Sequence, residues 1–208
     1  MIGKSPIFNR IPQLASLLLI IFSLAGISLW CSPSLFAQDV QPRTLIGHTN
    51  EIFGLAFDAT SHTVASASAD QTIRLWDAQT GRLQKELHGH TATIRSLAFS
   101  PKGPWLASGA SDKTTKVWDI TTGKEVVSFS SVFGNIRAVA FSPDGEILAS
   151  TGDGGSLRLL NWKEKKELKA MKSGFGITYA VAFSPSDTLI ATGGSDTVVH
   201  LWNPSTRQ

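Results

Sequence analysis

The stretch GHTATIRSLAFSPKGPWLASGASDKTTKVWD, residues 89–119, decides the fold. Its apolar residues come in short runs, and Ser100-Pro101-Lys102-Gly103 breaks them with turn chemistry. Proline presets one turn dihedral and glycine accepts a positive one, so this tetrad joins two strands. Moving 42 residues in either direction recovers the same text: phenylalanine stands at Phe57, Phe99, Phe141 and Phe183, each after an alanine (Ala56, Ala98, Ala140, Ala182). A second alanine column runs through Ala65, Ala107, Ala149 and Ala191, and a hydroxyl column through Ser66, Ser108, Ser150 and Thr192. Four gapless copies of one period mean a single supersecondary unit repeated in tandem.

Each unit holds four short β-rich stretches. In the first copy they are 52–57, 63–68, 72–76 and 83–87, and the later copies repeat the turns as Ser142-Pro143-Asp144-Gly145 and Ser184-Pro185-Ser186-Asp187. Four antiparallel strands per repeat make one sheet. An array of helical repeats is excluded, because turn residues fall every ten or so positions and leave no long run of 3.6 periodicity. The fold class is therefore all-β, with repeats at about 44–85, 86–127, 128–169 and 170–208.

Gly47-His48 and Gly89-His90 open units that close with Leu75-Trp76-Asp77 and Val117-Trp118-Asp119, and Asp70 and Asp112 lie six residues before each tryptophan. This combination resembles the WD-repeat β-propeller family over residues 43–203. The resemblance implies a hydrogen-bonded chain from tryptophan through a hydroxyl and histidine to aspartate in each blade. Carried onto this sequence, it is Trp76, Ser66, His48 and Asp70 in the first copy and Trp118, Ser108, His90 and Asp112 in the second. The third copy departs, with Val132 for histidine, Gly154 for aspartate beside Asp153, and Leu160-Asn161 for Trp-Asp. Trp162 follows two residues on, on the same face by strand alternation. The fourth copy keeps Thr192, Asp196 and Trp202 but has Gly174 for histidine. Blades three and four are expected to be looser than one and two.

Propellers of this family close rings of about seven blades, and smaller rings occur in other families. Four sets of inner strands are present here, with outer strands expected near 43–46, 82–87, 124–129 and 166–171. Two forms stay open. One is a small ring, closed by pairing 43–46 with the last copy. The other is an open arc, favoured for a single chain, whose bare end faces call for a partner, for self-association, or for further repeats missing downstream.

The composition excludes several classes. Of 208 residues, 42% are hydrophobic and 17% charged, and only one is cysteine, so a disordered chain and a disulfide scaffold are both ruled out. The net charge is +3, but residues 1–37 carry Lys4 and Arg10 and no acid, so 17 basic minus 16 acidic groups leave +1 for the rest. That balance offers no footprint for a nucleic-acid backbone. Residues 1–37 have a basic start, an apolar run from Leu14 to Trp30, then Pro33 and the small Ala37. This is the order of a secretory signal peptide, cut after Ala37 to release residues 38–208 into the periplasm or the medium. Its 17-residue apolar run is also just long enough to serve as an uncleaved anchor, which would attach the protein to a membrane through residues 14–30.

No constellation for catalysis, cofactor or metal is legible. His48 and His90 belong to the implied network, His88 is read as one of an in-and-out pair, and His62 lies in a turn. His200 is read as replacing a solvent-facing residue of the column Arg74, Lys116. Gly152-Asp153-Gly154-Gly155 lacks the lysine and helix of a phosphate loop and reads as a hairpin turn. Function is expected on the surface, as a non-catalytic scaffold for a protein or peptide; the alternative is a remnant of a larger signalling protein or propeller enzyme. The resemblance implies docking on the rim where each first strand begins. Ile52, Ile94, Ile136 and Thr178 are expected to pack there, and Phe53, Arg95, Arg137 and Tyr179 to bind, with Glu51, Asn135 and Asp153 beside them. Aromatic and arginine side chains dominate binding hot spots.

Overall fold

The computed structural model describes residues 43–60, 62–172, 176–186 and 188–204. The leader reading for 1–37, Gly174 and Asp187 lie outside the described residues. The first repeat forms β1 (Ile52–Phe57), β2 (Thr63–Ser68), β3 (Ile73–Asp77) and β4 (Leu83–Leu87). The second forms β5 (Ile94–Phe99), β6 (Trp105–Ala110), β7 (Thr114–Asp119) and β8 (Lys124–Ser130). The third forms β9 (Ile136–Phe141), β10 (Ile147–Gly152), β11 (Ser156–Asn161) and β12 (Lys166–Lys172), and the fourth β13 (Thr178–Phe183), β14 (Ile190–Gly194) and β15 (Val199–Trp202). Each repeat is its own antiparallel meander, in sheets of four, four, four and three strands.

The turns set these meanders. At the hairpin tip before each third strand, Gln71, Lys113, Gly155 and Thr197 all have positive φ. The aspartate just upstream holds that tip in three copies, where Asp70 Oδ1 accepts from Thr72, Asp112 Oδ1 from Thr114 and Asp196 Oδ1 from Val198 N–H. Short carboxylates are suited to such local bonds.

The sheets pack in chain order, β1 on β5, β5 on β9 and β9 on β13. Strand alternation gives each sheet a leading face towards the next repeat and a trailing face towards the previous one. Between the first two sheets, Ala65, Ile73, Leu75 and Leu87 meet Ile94, Leu97, Leu106 and Trp118. Between the second and third, Ala107, Val117, Val127 and Phe129 meet Ile136, Val139, Phe141 and Leu148. Between the third and fourth, Ala149, Leu157, Leu159 and Met171 meet Val181, Phe183, Ile190 and Trp202. The alanine column leads and the phenylalanine column trails, so small residues on one sheet receive large ones from the next.

Three expectations are corrected. Residues 43–48 form no strand; Arg43 and Leu45 instead lie against the turn at Gly81. The third sheet is not loose: β10 and β11 are buried almost throughout, because a neighbour covers each face. Ile52 is exposed although Ile94, Ile136 and Thr178 are buried, since among the described residues no sheet lies on the trailing side of the first.

Candidate functional site

The structure holds two kinds of polar assembly, one buried in the blades and one at the rim. In the first sheet Trp76 Nε1–H donates to Ser66 Oγ at 2.8 Å, and Ser66 Oγ lies 2.7 Å from His48 Nε2. His48 Nδ1 lies 2.8 Å from Asp70 Oδ2. The indole can only donate and the carboxylate can only accept, so the chain has one sense. At the carboxylate end Nδ1–H donates to Asp70, and Nε2 is left to meet the serine hydroxyl. The second sheet repeats this with Trp118, Ser108, His90 and Asp112 at 2.8, 2.7 and 2.7 Å. Burial, aided by the charge of Lys116, holds His90 below the ordinary imidazole range against the upward pull of Asp112. Burial alone would raise Asp112, but bonds from Thr114, Thr91 and His90 outweigh it and hold the carboxyl low.

Over the same chain, a family model described as WD domain, G-beta repeat matches residues 40–77, 81–119, 123–161 and 162–203. The chain belongs to this WD-repeat family. Among curated relatives, Eukaryotic translation initiation factor 3 subunit I of Neurospora crassa is 52% identical over 42 residues, covering 20% of this chain and 12% of that protein. Striatin-3 of Homo sapiens is 37% identical over 62 residues, 26% of this chain and 8% of its own length. Probable E3 ubiquitin ligase complex SCF subunit sconB of Arthroderma otae is 44% identical over 45 residues, 22% of this chain and 7% of its own. The matches thus span about a tenth of these relatives' lengths.

The last two WD repeats rebuild the network differently. In the third, Ser150 Oγ turns to Thr115 Oγ1 of the neighbouring blade at 2.7 Å, and Leu160 fills the tryptophan position. Trp162 does not enter a relay: its indole donates to Gly145 O at 3.0 Å and packs on Trp105, ring centroids 5.1 Å apart. Arg158 bonds Glu167 on β12, as its column partners Arg74 and Lys116 meet Glu86 and Glu125, and also reaches the carbonyl of Ser130 at the end of β8. In the fourth, Trp202 Nε1–H still donates to Thr192 Oγ1 at 2.8 Å, but Asp196 is met by His200 Nε2 at 2.7 Å. That bond, before any other cause, lowers the Asp196 carboxyl.

His200 therefore supplies from a strand the ring that the first two repeats supply from a loop. Its column is not solvent-facing: Lys116 is buried against Glu125 at 2.7 Å, and Arg74 meets Glu86 at 3.2 Å. The coincidence of a missing loop histidine and a new histidine in the same repeat was the available signal.

At the rim, each first strand carries a β-bulge at the same place. Ile52 pairs Ser68 and Gly54 pairs Ala67, which leaves Phe53 as the extra residue. The equivalent slips leave Arg95, Arg137 and Tyr179. A bulge re-aims the side chain it carries. Arg95 lies over the Phe53 ring at 5.2 Å from its centroid, and its Nε donates to Ser111 Oγ at 2.7 Å. Arg137 Nε donates to Asp153 Oδ1 at 2.9 Å. Phe53 and Tyr179 are 45% and 54% exposed. Glu51 and Asn135 contribute backbone carbonyls, which accept from Ala69 N and Asp153 N at 2.8 and 2.9 Å.

Proposed function

We propose that this WD-repeat chain is an exported, non-catalytic scaffold that binds a protein or peptide through Phe53, Arg95, Arg137 and Tyr179. The observation that carries the reading is the recurrent bulge, which sets these four side chains at equivalent points on consecutive first strands. Ser111 and Asp153 hold the two arginines by one nitrogen each, so their guanidinium ends retain donors for acceptors on a partner. The aromatic residues add area at low entropic cost. The alternative, a remnant of a larger signalling protein or propeller enzyme, is supported by the relatives' greater length. Export is supported by the basic, apolar, then small order of residues 1–37, and membrane attachment through residues 14–30 is its variant.

The test is a peptide-display selection on protein purified from the periplasm or medium of its host. Selected peptides should bind the wild type and lose at least about tenfold in affinity on the R95A/R137A double variant, whose melting temperature stays unchanged. Equal binding by both proteins refutes the surface. Finding the chain in the cytoplasm, with its first residues intact, refutes export.

A further inference from the structure

The two end faces of the described body are the two halves of a contact that the chain already makes three times. On the trailing face of the first sheet, Leu55 is 69% exposed, whereas its equivalents Leu97 and Val139 are buried. On the leading face of the last sheet, Val199 is 72% exposed, whereas Ile73 and Leu157 are buried. The last face is also concave, with Ala180, Ala182, Ala191 and Gly193 lining a hollow beside Val199.

The glycines show what would fill that hollow. A Cβ placed on Gly109, on the leading face of the second sheet, would meet Ile136 and Val139 of the third at 2.4 and 3.1 Å. Gly193 is the residue two periods on, and a Cβ there would meet nothing within 4 Å. By the same two periods, Ile136 and Val139 correspond to Ile52 and Leu55, the side chains left bare on the first sheet.

We propose that a second copy of this chain docks its first sheet on the last sheet of this one, inserting Ile52 and Leu55 over Gly193. The contact is heterologous, since different patches meet, and such contacts either close into a ring or propagate. Two copies supply eight of the sheets seen among the described residues, within the range of about four to eight blades that propeller rings use, whereas three copies would exceed it. The closed dimer is therefore the expected product. This inference is independent of the rim reading, because its residues lie on the sheet faces and not at the bulges.

The protein should elute, by size exclusion with light scattering, at about twice its own monomer mass, which is 22.3 kDa when residues 1–37 are retained and less when they are removed. Gly193→Leu projects into a hollow where no described residue meets the first side-chain carbon within 4 Å, so it should return the protein to the monomer mass with an unchanged circular dichroism spectrum. Leu55→Asp should do the same from the other face. Mixing the two variants should restore a dimer through the one interface that remains intact. A wild type that stays monomeric at tens of micromolar overturns the proposal. So does a dimer that persists in G193L, or one that is broken by L55D but not by G193L, which would mean that the first sheet pairs with itself.

Discussion

At the residue scale, Ser108 carries more than its size suggests. Its hydroxyl is fully buried, accepts from Trp118 and donates to His90. Ser108→Ala leaves the Trp118 indole N–H and His90 Nε2 without a partner, and each stranded group costs about 1–3 kcal/mol. Ser150 bonds one hydroxyl, Thr115, in an otherwise apolar contact. Replacing both members in T115V/S150A removes donor and acceptor together and should cost well under S108A, by about 2 kcal/mol. Urea midpoints of the two variants check the order, and equal losses would mean that the relay adds nothing. The relay also has a pH dependence. His90 has a folded pKa below its ordinary 6.5, so the unfolded chain takes the proton first. The stability it contributes is whole above about pH 6.5 and is lost as pH falls through the folded value. Asp112, also lowered, adds a second loss below about pH 4, in the same direction. Chemical denaturation between pH 8 and 5 should show a flat region and then a fall, and H90Q should flatten that fall.

At the scale of the element, the bulge is the device that matters. Its register brings the carbonyl of Asn135 so close to Gly152 that a Cβ there would sit 1.9 Å from the oxygen. Gly152→Ala must push backbone against backbone, and strain of this kind costs about 1–3 kcal/mol. Gly193→Ala, made in the Leu55→Asp background where no second copy covers the position, should be neutral or stabilising by a few tenths of a kcal/mol. A thermal melt of the two variants checks the contrast; equal melting temperatures would deny the close approach. Strand placement was legible from turn residues and alternation, and β1, β2 and β4 fall where the pattern predicts them. The bulge was not legible. It is a slip in pairing, and a period that counts residues along one strand does not see the partner's count.

At the scale of the molecule, stability is distributed along a stack of neighbours. The third sheet, poorest in motif residues, is among the best buried, because coverage depends on position in the stack and not on the relay. The end sheets carry intact pieces of the same relay and still expose large apolar side chains. Apolar patches rimmed by polar residues mark interaction sites. The rim and the end faces are separate surfaces, so G193L should keep the peptide affinity of the wild type and R95A/R137A should keep its mass.

The repeat, its strands and the all-β class followed from residue type and spacing alone, because turn dihedrals and strand alternation are local properties that recur with the period. The relay residues followed from the resemblance to the WD-repeat family carried onto those columns. The tertiary structure alone decided that His200 partners Asp196, that Trp162 leaves the relay, and that Arg158 spans from one blade to the next. It also decided which copies of one column are buried and which are bare. Those outcomes depend on what lies across a gap between sheets, and a period written along the chain carries no term for the neighbour on the other side.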